Sequence, residues 1–172
     1  MTDGDLSEVA AASRRGSLLP LTLAVAAVVV LVDQVTKHWA VNALAGVPAR
    51  HVIWTLQWNL SFNSGMAFSS GRGLGPIIGL VAMMVVVFIV LSVRSNRSMI
   101  VAVAAGLVLG GAVGNLCDRV FRGDGWLHGS VVDFIDFQWF PIFNVADICV
   151  NVGGAMFIIW SLLAGRNQGS PS

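Results

Sequence analysis

Long stretches without a charged side chain alternate with shorter polar segments along the chain. The uncharged windows cover residues 16–32, 73–93, 98–117 and 148–165. Each can cross the hydrocarbon core of a bilayer, about 30 Å thick, as a helix, and the first is the shortest. The pattern therefore predicts four membrane-spanning helices. Their expected bounds are about 16–34, 73–93, 98–117 and 147–165.

Composition supports the same class of protein. The 172 residues are 56% hydrophobic and only 11% charged, whereas about a quarter of the residues of a soluble domain are charged. The expected fold is a membrane all-α protein, a four-helix bundle forming a single domain over residues 1–172. We expect any chemistry to use helix ends and loops, because no soluble catalytic domain accompanies the bundle.

Basic residues near the helix ends predict the orientation. With four spans, the termini share one side with the loop at 94–97, and five basic residues fall on each side. Those on the side of the termini are closer together and tight against the helix ends, which places both termini in the cytoplasm. Residues 1–13 are small and polar and are expected to form a disordered tail. The first apolar run resembles a secretory signal, but the small-residue site at 43–45 lies too far beyond it for cleavage.

The segment between the first two helices predicts a small outer β subdomain. Residues 51–60 are rich in β-branched and aromatic side chains, which favours a strand. Residues 63–68 have the composition of a turn that leads into the second helix. We therefore expect a small extracytoplasmic sheet and loop lying on the bundle. In the third helix, Gly106, Gly110 and Gly114 share one face, so a neighbouring helix can approach closely.

Several kinds of site are not expected. The chain has no Walker-type loop, no dinucleotide-binding fingerprint and no basic stripe, which argues against binding of nucleotides or nucleic acid. His38, His51 and His128 lack the spacing of metal ligands, and no metal or organic cofactor is implied. Cys117 and Cys149 are interpreted as small core residues rather than as a disulfide.

Two acids, Asp133 and Asp147, stand where apolar segments meet the membrane surface. A carboxylate at membrane depth is costly and usually marks function. The loop between the third and fourth helices is expected to bring Asp133 back to the mouth where Asp147 begins the fourth helix. Two nearby carboxyls share one proton, so one can act as general base on a water while the other polarises a carbonyl. Asp147 should be the more readily ionised, because a helix amino terminus favours negative charge.

Four sequence blocks, taken in order, resemble one family. They are Val32-Asp33-Gln34-Val35-Thr36-Lys37; Asn63-Ser64-Gly65-Met66-Ala67-Phe68-Ser69; Gly110-Gly111-Ala112-Val113-Gly114-Asn115-Leu116-Cys117-Asp118-Arg119; and Val131-Val132-Asp133-Phe134 with Phe143-Asn144-Val145-Ala146-Asp147. From about Asp33 to the end of the fourth helix, the chain resembles the bacterial lipoprotein signal peptidases, or type II signal peptidases. The motif also favours Asp133 over Asp136, a third acid in the same segment.

The resemblance implies a membrane aspartic endopeptidase that removes signal peptides from prolipoproteins. It would cut before the lipobox cysteine once that residue carries diacylglycerol, near the outer face of the bacterial plasma membrane. Asp133 and Asp147 would be the catalytic pair, and Asp33 with Lys37 would brace the first helix against the outer subdomain. The positions expected to shape the site or hold the substrate backbone are Asn63, Gly114, Asn115, Asp118, Arg119, Asn144 and Ala146. Expected partners are prolipoproteins, membrane lipids and inhibitors of the globomycin type, with the chain as a monomer.

Two features depart from the family pattern. Met66 stands where the family often has a smaller residue. Residues 122–130 form a longer link before Val131 than is usual, and this extra loop would adjust access to the site.

Other readings of the same residues stay open. Asp118 with Arg119 could be a surface ion pair, Asp33 with Lys37 a pair at a helix end, and the asparagines turn or capping residues. The alternative function is a non-enzymatic membrane carrier or scaffold with acids at its outer mouth. A carrier would place polar residues deep inside the spans, whereas the helix interiors here are almost wholly apolar.

Overall fold

The computed structural model describes residues 17–65, 75–94 and 97–168 of the chain, the side chains of 166–168 excepted. Four helices and three short strands lie within these ranges. In chain order they are α1 (Leu19–Leu44), β1 (Arg50–Ile53), β2 (Leu56–Asn63), α2 (Gly75–Val93), α3 (Met99–Phe121), β3 (Val131–Asp136) and α4 (Val145–Gln168). The predicted four-helix bundle with a small β subdomain is confirmed. The expected tail at 1–13 and Met66 lie outside the described residues.

All four helices are long and apolar enough to cross a membrane. The strands lie at one end of the bundle, here called the sheet end, where α1 and α3 finish and α2 and α4 begin. Helix α1 continues to Leu44, well past the expected end near residue 34. Asp33 and Lys37 are fully buried within it, so these charges do not terminate the helix. Its last turns pack Ala40 and Leu44 against Phe134 of the sheet.

Helix α3 is the central helix of the bundle. A Cβ atom added at Gly106 would lie 2.7 Å from the Cβ of Val25, and one at Gly110 would lie 2.6 Å from the Cβ of Val29. Such distances are shorter than real contacts, so α1 approaches α3 more closely than any side chain on this face would allow. The predicted packing role of the glycine face is confirmed. On another face of α3, Gly153 brings α4 against the backbone of Ala104.

The sheet is antiparallel in the order β1-β2-β3. The segment at 51–60, expected as one strand, forms most of a hairpin whose two-residue turn contains Trp54 at a φ of 53°. Strand β3 was not predicted. It pairs with β2 so that Asp133 lies opposite Ser61. Trp39 of α1 makes edge contacts with Phe134 at 5.9 Å between ring centroids, which fixes the sheet, and with it Asp133, over the helix ends.

Candidate active site

Asp147 is held by the residue that caps its own helix. Asn144 immediately precedes α4, and its Oδ1 accepts a hydrogen bond from the Asp147 backbone N–H at 3.0 Å. In return, Asp147 Oδ2 accepts one from the Asn144 backbone N–H at 3.2 Å. This reciprocal pair has the geometry of a capping box, which satisfies backbone donors that the start of a helix otherwise leaves free. The run Asn-Val-Ala-Asp therefore orients the carboxyl of Asp147 in the first turn of α4.

Asp133 is placed by the sheet. It lies on β3, not in a loop, and only 3% of its surface is exposed. Its Oδ1 accepts a hydrogen bond from Asn144 Nδ2 at 2.6 Å, and its Oδ2 accepts one from Asn63 Nδ2 at 3.1 Å. Asn63 is the last residue of β2, the strand beside β3. Both carboxyl oxygens of Asp133 are thus held by asparagine side chains from two different elements.

Asn144 and Asn115 join the two carboxyls into one network. Asn144 Nδ2 also donates to Asn115 Oδ1 at 3.1 Å, and Asn115 Nδ2 donates to Asp147 Oδ1 at 2.9 Å. Lys37 Nζ donates to Asn115 Oδ1 at 2.7 Å. An ammonium group can only donate, so Lys37 fixes which end of the Asn115 amide faces Asp147. Asn144 is a capping residue, which is the alternative that the sequence left open for the asparagines. It also contacts Asp133.

The surroundings of Asp133 and Asp136 shift the pKa values of these two acids in opposite directions. Burial, and after it the negative charge of Asp147, raise the pKa of Asp133 to about 6, against the hydrogen bonds from Asn63 and Asn144. Burial also acts to raise the pKa of Asp136, but hydrogen bonds from Asn59, Gln57 and the Gln138 backbone hold it below its ordinary value. Asp136 is therefore a stably ionised acid of the sheet, and it does not line the cavity described below.

A second charged cluster lies beneath the acids, inside the bundle. Lys37 Nζ is 2.8 Å from Asp33 Oδ2 and 2.9 Å from Asp118 Oδ2, and all three side chains are fully buried. Asp118 Oδ1 also pairs with Arg122 Nε at 2.7 Å. Asp118 is thus not a surface ion-pair partner of Arg119, and Asp33 with Lys37 is not an exposed pair at a helix end. Both of those alternatives are wrong.

The contacts of this buried cluster show which elements it joins. Asp33 Oδ1 accepts a hydrogen bond from the Ala146 backbone N–H at 3.0 Å, and Asp118 Oδ2 accepts one from the Val132 backbone N–H at 3.1 Å. Gly114 leaves room for Asp33, whose Oδ2 would lie 2.6 Å from a Cβ at that position. Asp33 and Lys37 therefore bind α1 to α3 and α4. They reach the sheet indirectly, through Asp118 and through the amides of Asn115 and Asn144.

Arg119 lies at the end of α3 beside the acids and is 94% buried, with 6% exposed. Its Nη1 has no hydrogen-bond partner within the part of the chain that the structure describes. Arg119, Asp133 and Asp147 all line one cavity of about 370 Å³. The rest of its lining is Asn63, Gly65, Ile78, Ala82, Ala112, Asn115, Leu116, Val131 and Val150. The cavity is thus polar at the sheet end and apolar along the helices.

Some site residues were missed by sequence reasoning. Gln34 Nε2 donates to Gly114 O at 3.0 Å and to Asp118 Oδ1 at 3.3 Å, and its place in the first sequence block was a usable signal. Arg122 stands four residues after Asp118, a spacing that predicts an ion pair on a helix. Nothing in the sequence indicated that Ile78 and Ala82 line the cavity as its apolar wall.

The cysteines and the possible metal ligands form no further candidate site within the described ranges. Cys117 and Cys149 are half-buried free thiols. No group of three or more His, Cys, Asp or Glu side chains is arranged there to hold a metal ion.

Fold and site together define a small multi-pass membrane protein with two acids that face one cavity at the ends of its helices. The model of a family described as signal peptidase (SPase) II matches residues 25–163. The chain belongs to this family of membrane peptidases.

Individual relatives agree with this assignment. A lipoprotein signal peptidase of Mycolicibacterium smegmatis is 46% identical over 163 residues, covering 94% of this chain and 68% of the relative. One of Mycobacterium avium is 47% identical over 142 residues, covering 82% and 78%. A solved structure described as a bacterial membrane enzyme superposes with a TM-score of 0.77 at 28% identity, covering 89% of this chain and 94% of that one. The chain is similar to these proteins in both sequence and fold.

Proposed function

We propose that this protein is an aspartic endopeptidase of the bacterial plasma membrane in which Asp133 and Asp147 are the catalytic pair. The observation that carries the proposal is the network in which Asn144 contacts both acids, at a cavity that both acids line. An acid pair held in this way can bind one water between its members and activate it.

The environment of the two acids supports different protonation states. Asp133 is buried on the sheet, and its pKa is raised to about 6 with the charge of Asp147 as the second cause. Asp147 lies in the first turn of α4, where the helix dipole favours a negative charge. Asp133 therefore holds the shared proton, and Asp147 is the carboxylate that accepts a proton from water.

Hydrolysis then proceeds without a covalent intermediate. Asp147 removes a proton from the water as its oxygen attacks the scissile carbonyl carbon, while protonated Asp133 donates to the carbonyl oxygen. The C–N bond breaks as the leaving nitrogen takes a proton from the pair, which yields a carboxyl group and an amine. Arg119 supports the reaction by offering its unpaired Nη1 to a peptide carbonyl in the cavity.

The shape of the cavity supports a membrane-bound substrate. Its polar end holds the acids, and its apolar wall of Ile78, Ala82 and Val150 continues along the helices. We infer that the substrates are prolipoproteins, which the relatives' name, lipoprotein signal peptidase, supports, and we propose that these substrates carry a diacylglyceryl group. The cut would fall before the lipidated cysteine, whose acyl chains stay in the bilayer. The proposed enzyme is a monomer with cytoplasmic termini and an outward-facing site, and inhibitors of the globomycin type would occupy that site.

Cleavage of a synthetic diacylglyceryl-modified prolipoprotein by the purified chain in detergent tests the proposal. Asp133→Asn and Asp147→Asn should each reduce turnover by at least about a thousandfold, because neither variant can both activate water and polarise the carbonyl. Asp136→Asn is the matched control from the same strand and should retain activity. Equal cleavage by all four proteins would refute the acid pair. Inactive wild type on this substrate would favour the carrier or scaffold.

A further inference from the structure

The link between α3 and β3 contains one side chain whose placement differs from that of its neighbours. Leu127 is 1% exposed, whereas the adjacent Trp126 is 65% exposed. Leu127 has a φ of 62°, in the left-handed region that bulky side chains rarely adopt. A leucine keeps such a conformation only where surrounding contacts determine it. Its contacts therefore show what the link at 122–130 does.

Leu127 packs into a slot on α2 that two glycines create. A Cβ added at Gly79 would lie 2.9 Å from Leu127 Cδ2 and 3.3 Å from Cδ1. At Gly75, one turn earlier, an added Cβ would meet Ser64 O at 3.2 Å and both Leu127 O and Arg119 Nη1 at 3.4 Å. The first turn of α2 is thus enclosed by the end of the hairpin, the 122–130 link and the guanidinium of Arg119.

Helix α2 is a wall of the cavity and carries none of the acids. Ile78 and Ala82 line the cavity from the helix face that also bears Gly75 and Gly79. The carboxyls, their asparagines and Lys37 come from α1, α3, α4 and the strands. A shift of α2 would therefore change the width of the cavity and leave the acid network in place.

We propose that Leu127 is a positioning residue that anchors α2 and so sets how the cavity holds the peptide beside the acids. This inference rests on the proposed peptidase function. Removing the side chain should loosen the wall formed by Ile78 and Ala82. Substrate binding then weakens, while the chemistry of Asp133 and Asp147 continues at its normal rate and pH dependence.

The test measures kcat and KM for cleavage of a diacylglyceryl-modified prolipoprotein by wild type, Leu127→Ala, Gly79→Ala and the double variant. In Leu127→Ala, KM should rise by at least about threefold with kcat unchanged, the pattern expected when binding is lost equally in the ground state and the transition state. Gly79→Ala should raise KM in wild type, because its methyl group displaces Leu127. In the Leu127→Ala background the same methyl group fills the vacated space, and KM should fall. Trp126→Ala is the control from the same link and should match wild type.

Each outcome decides between the alternatives. A merely structural role for Leu127 would lower the folded, active fraction, so kcat would fall with KM unchanged, and the inference would be overturned. Additive effects of the two substitutions on KM would overturn it as well. If Leu127→Ala cannot be obtained folded, Leu127→Val should show the same pattern at smaller size. If wild type itself does not cleave, the proposed function fails and this role fails with it, whereas an active wild type with unaltered variants refutes the role of Leu127 alone.

Discussion

Replacing Lys37 with Met removes the cation that two buried acids share. The ammonium group contacts Asp33 at 2.8 Å, Asp118 at 2.9 Å and Asn115 at 2.7 Å, and it is fully buried. Met keeps the length of the side chain and removes the charge and the donors. In Lys37→Met, Asp118 retains Arg122, while the donors that remain to Asp33 among the described residues, Gln34 Nε2 and the Ala146 backbone N–H, are neutral.

The size of the loss follows from the burial of the partners. Removing one member of a buried ion pair costs about 3–5 kcal/mol, because the remaining charge is left without compensation. Lys37 serves two such acids, so we expect the upper part of this range. In the double variant Lys37→Met with Asp33→Asn, the unpaired charge is gone, and the amide oxygen that replaces the carboxylate can still accept from the Ala146 backbone N–H. The double variant should therefore be more stable than the sum of the two single changes by about 1–3 kcal/mol.

Equilibrium unfolding of the purified protein in mixed micelles of mild and denaturing detergent would measure these differences. Arg50→Met is a suitable control, because it removes one positive charge from an exposed strand position and should change stability by less than about 0.5 kcal/mol. A loss below about 1 kcal/mol in Lys37→Met would refute the reasoning. Strict additivity with Asp33→Asn would refute it equally.

Three further perturbations have expected outcomes. Gly110→Ala should destabilise the bundle by about 1–3 kcal/mol through overpacking, whereas Gly154→Ala, with nothing within 4 Å of the added methyl group, should not; unfolding measurements would separate them. The pKa of Asp133 is about 6 when folded against an ordinary 3.8, so its contribution to stability is present below pH 3.8 and lost as the pH rises through 6. Wild type should therefore lose about 3 kcal/mol relative to Asp133→Asn between pH 3.5 and pH 7, and parallel curves would contradict this. Asn144→Ala should lose about 2–4 kcal/mol, because it removes a helix cap and also the donor to the buried Asp133, and the folded variant should cleave roughly a hundredfold more slowly, as for loss of a preorganised donor; a normal cleavage rate in the folded variant would count against its role beside Asp133.

The sequence predicted the spans and missed the strand that carries Asp133. Residues 131–136 have the β-branched and aromatic composition of a strand, but so short a run does not reveal its partner. The pairing of β3 with β2 fixes the position of Asp133, since it places Asn63 within reach of that acid. The end of α1 was misjudged for a related reason. Asp33 and Lys37 look like the boundary of a span until their buried partners on α3 and α4 are known.

Periodicity and hydropathy by themselves determined the four helices and the glycine face of α3, because a bilayer imposes length and apolarity on each segment separately. The local run from Asn144 to Asp147 likewise contains its own capping geometry. Only the tertiary structure decided which acids are buried together and which donors reach them. Ala146 bonds Asp33 across 113 residues of sequence, and Lys37 bonds Asn115 across 78. Hydrogen bonds and charge interactions depend on distances of about 3 Å between such residues, and the packing of α1, α3, α4 and the sheet sets those distances.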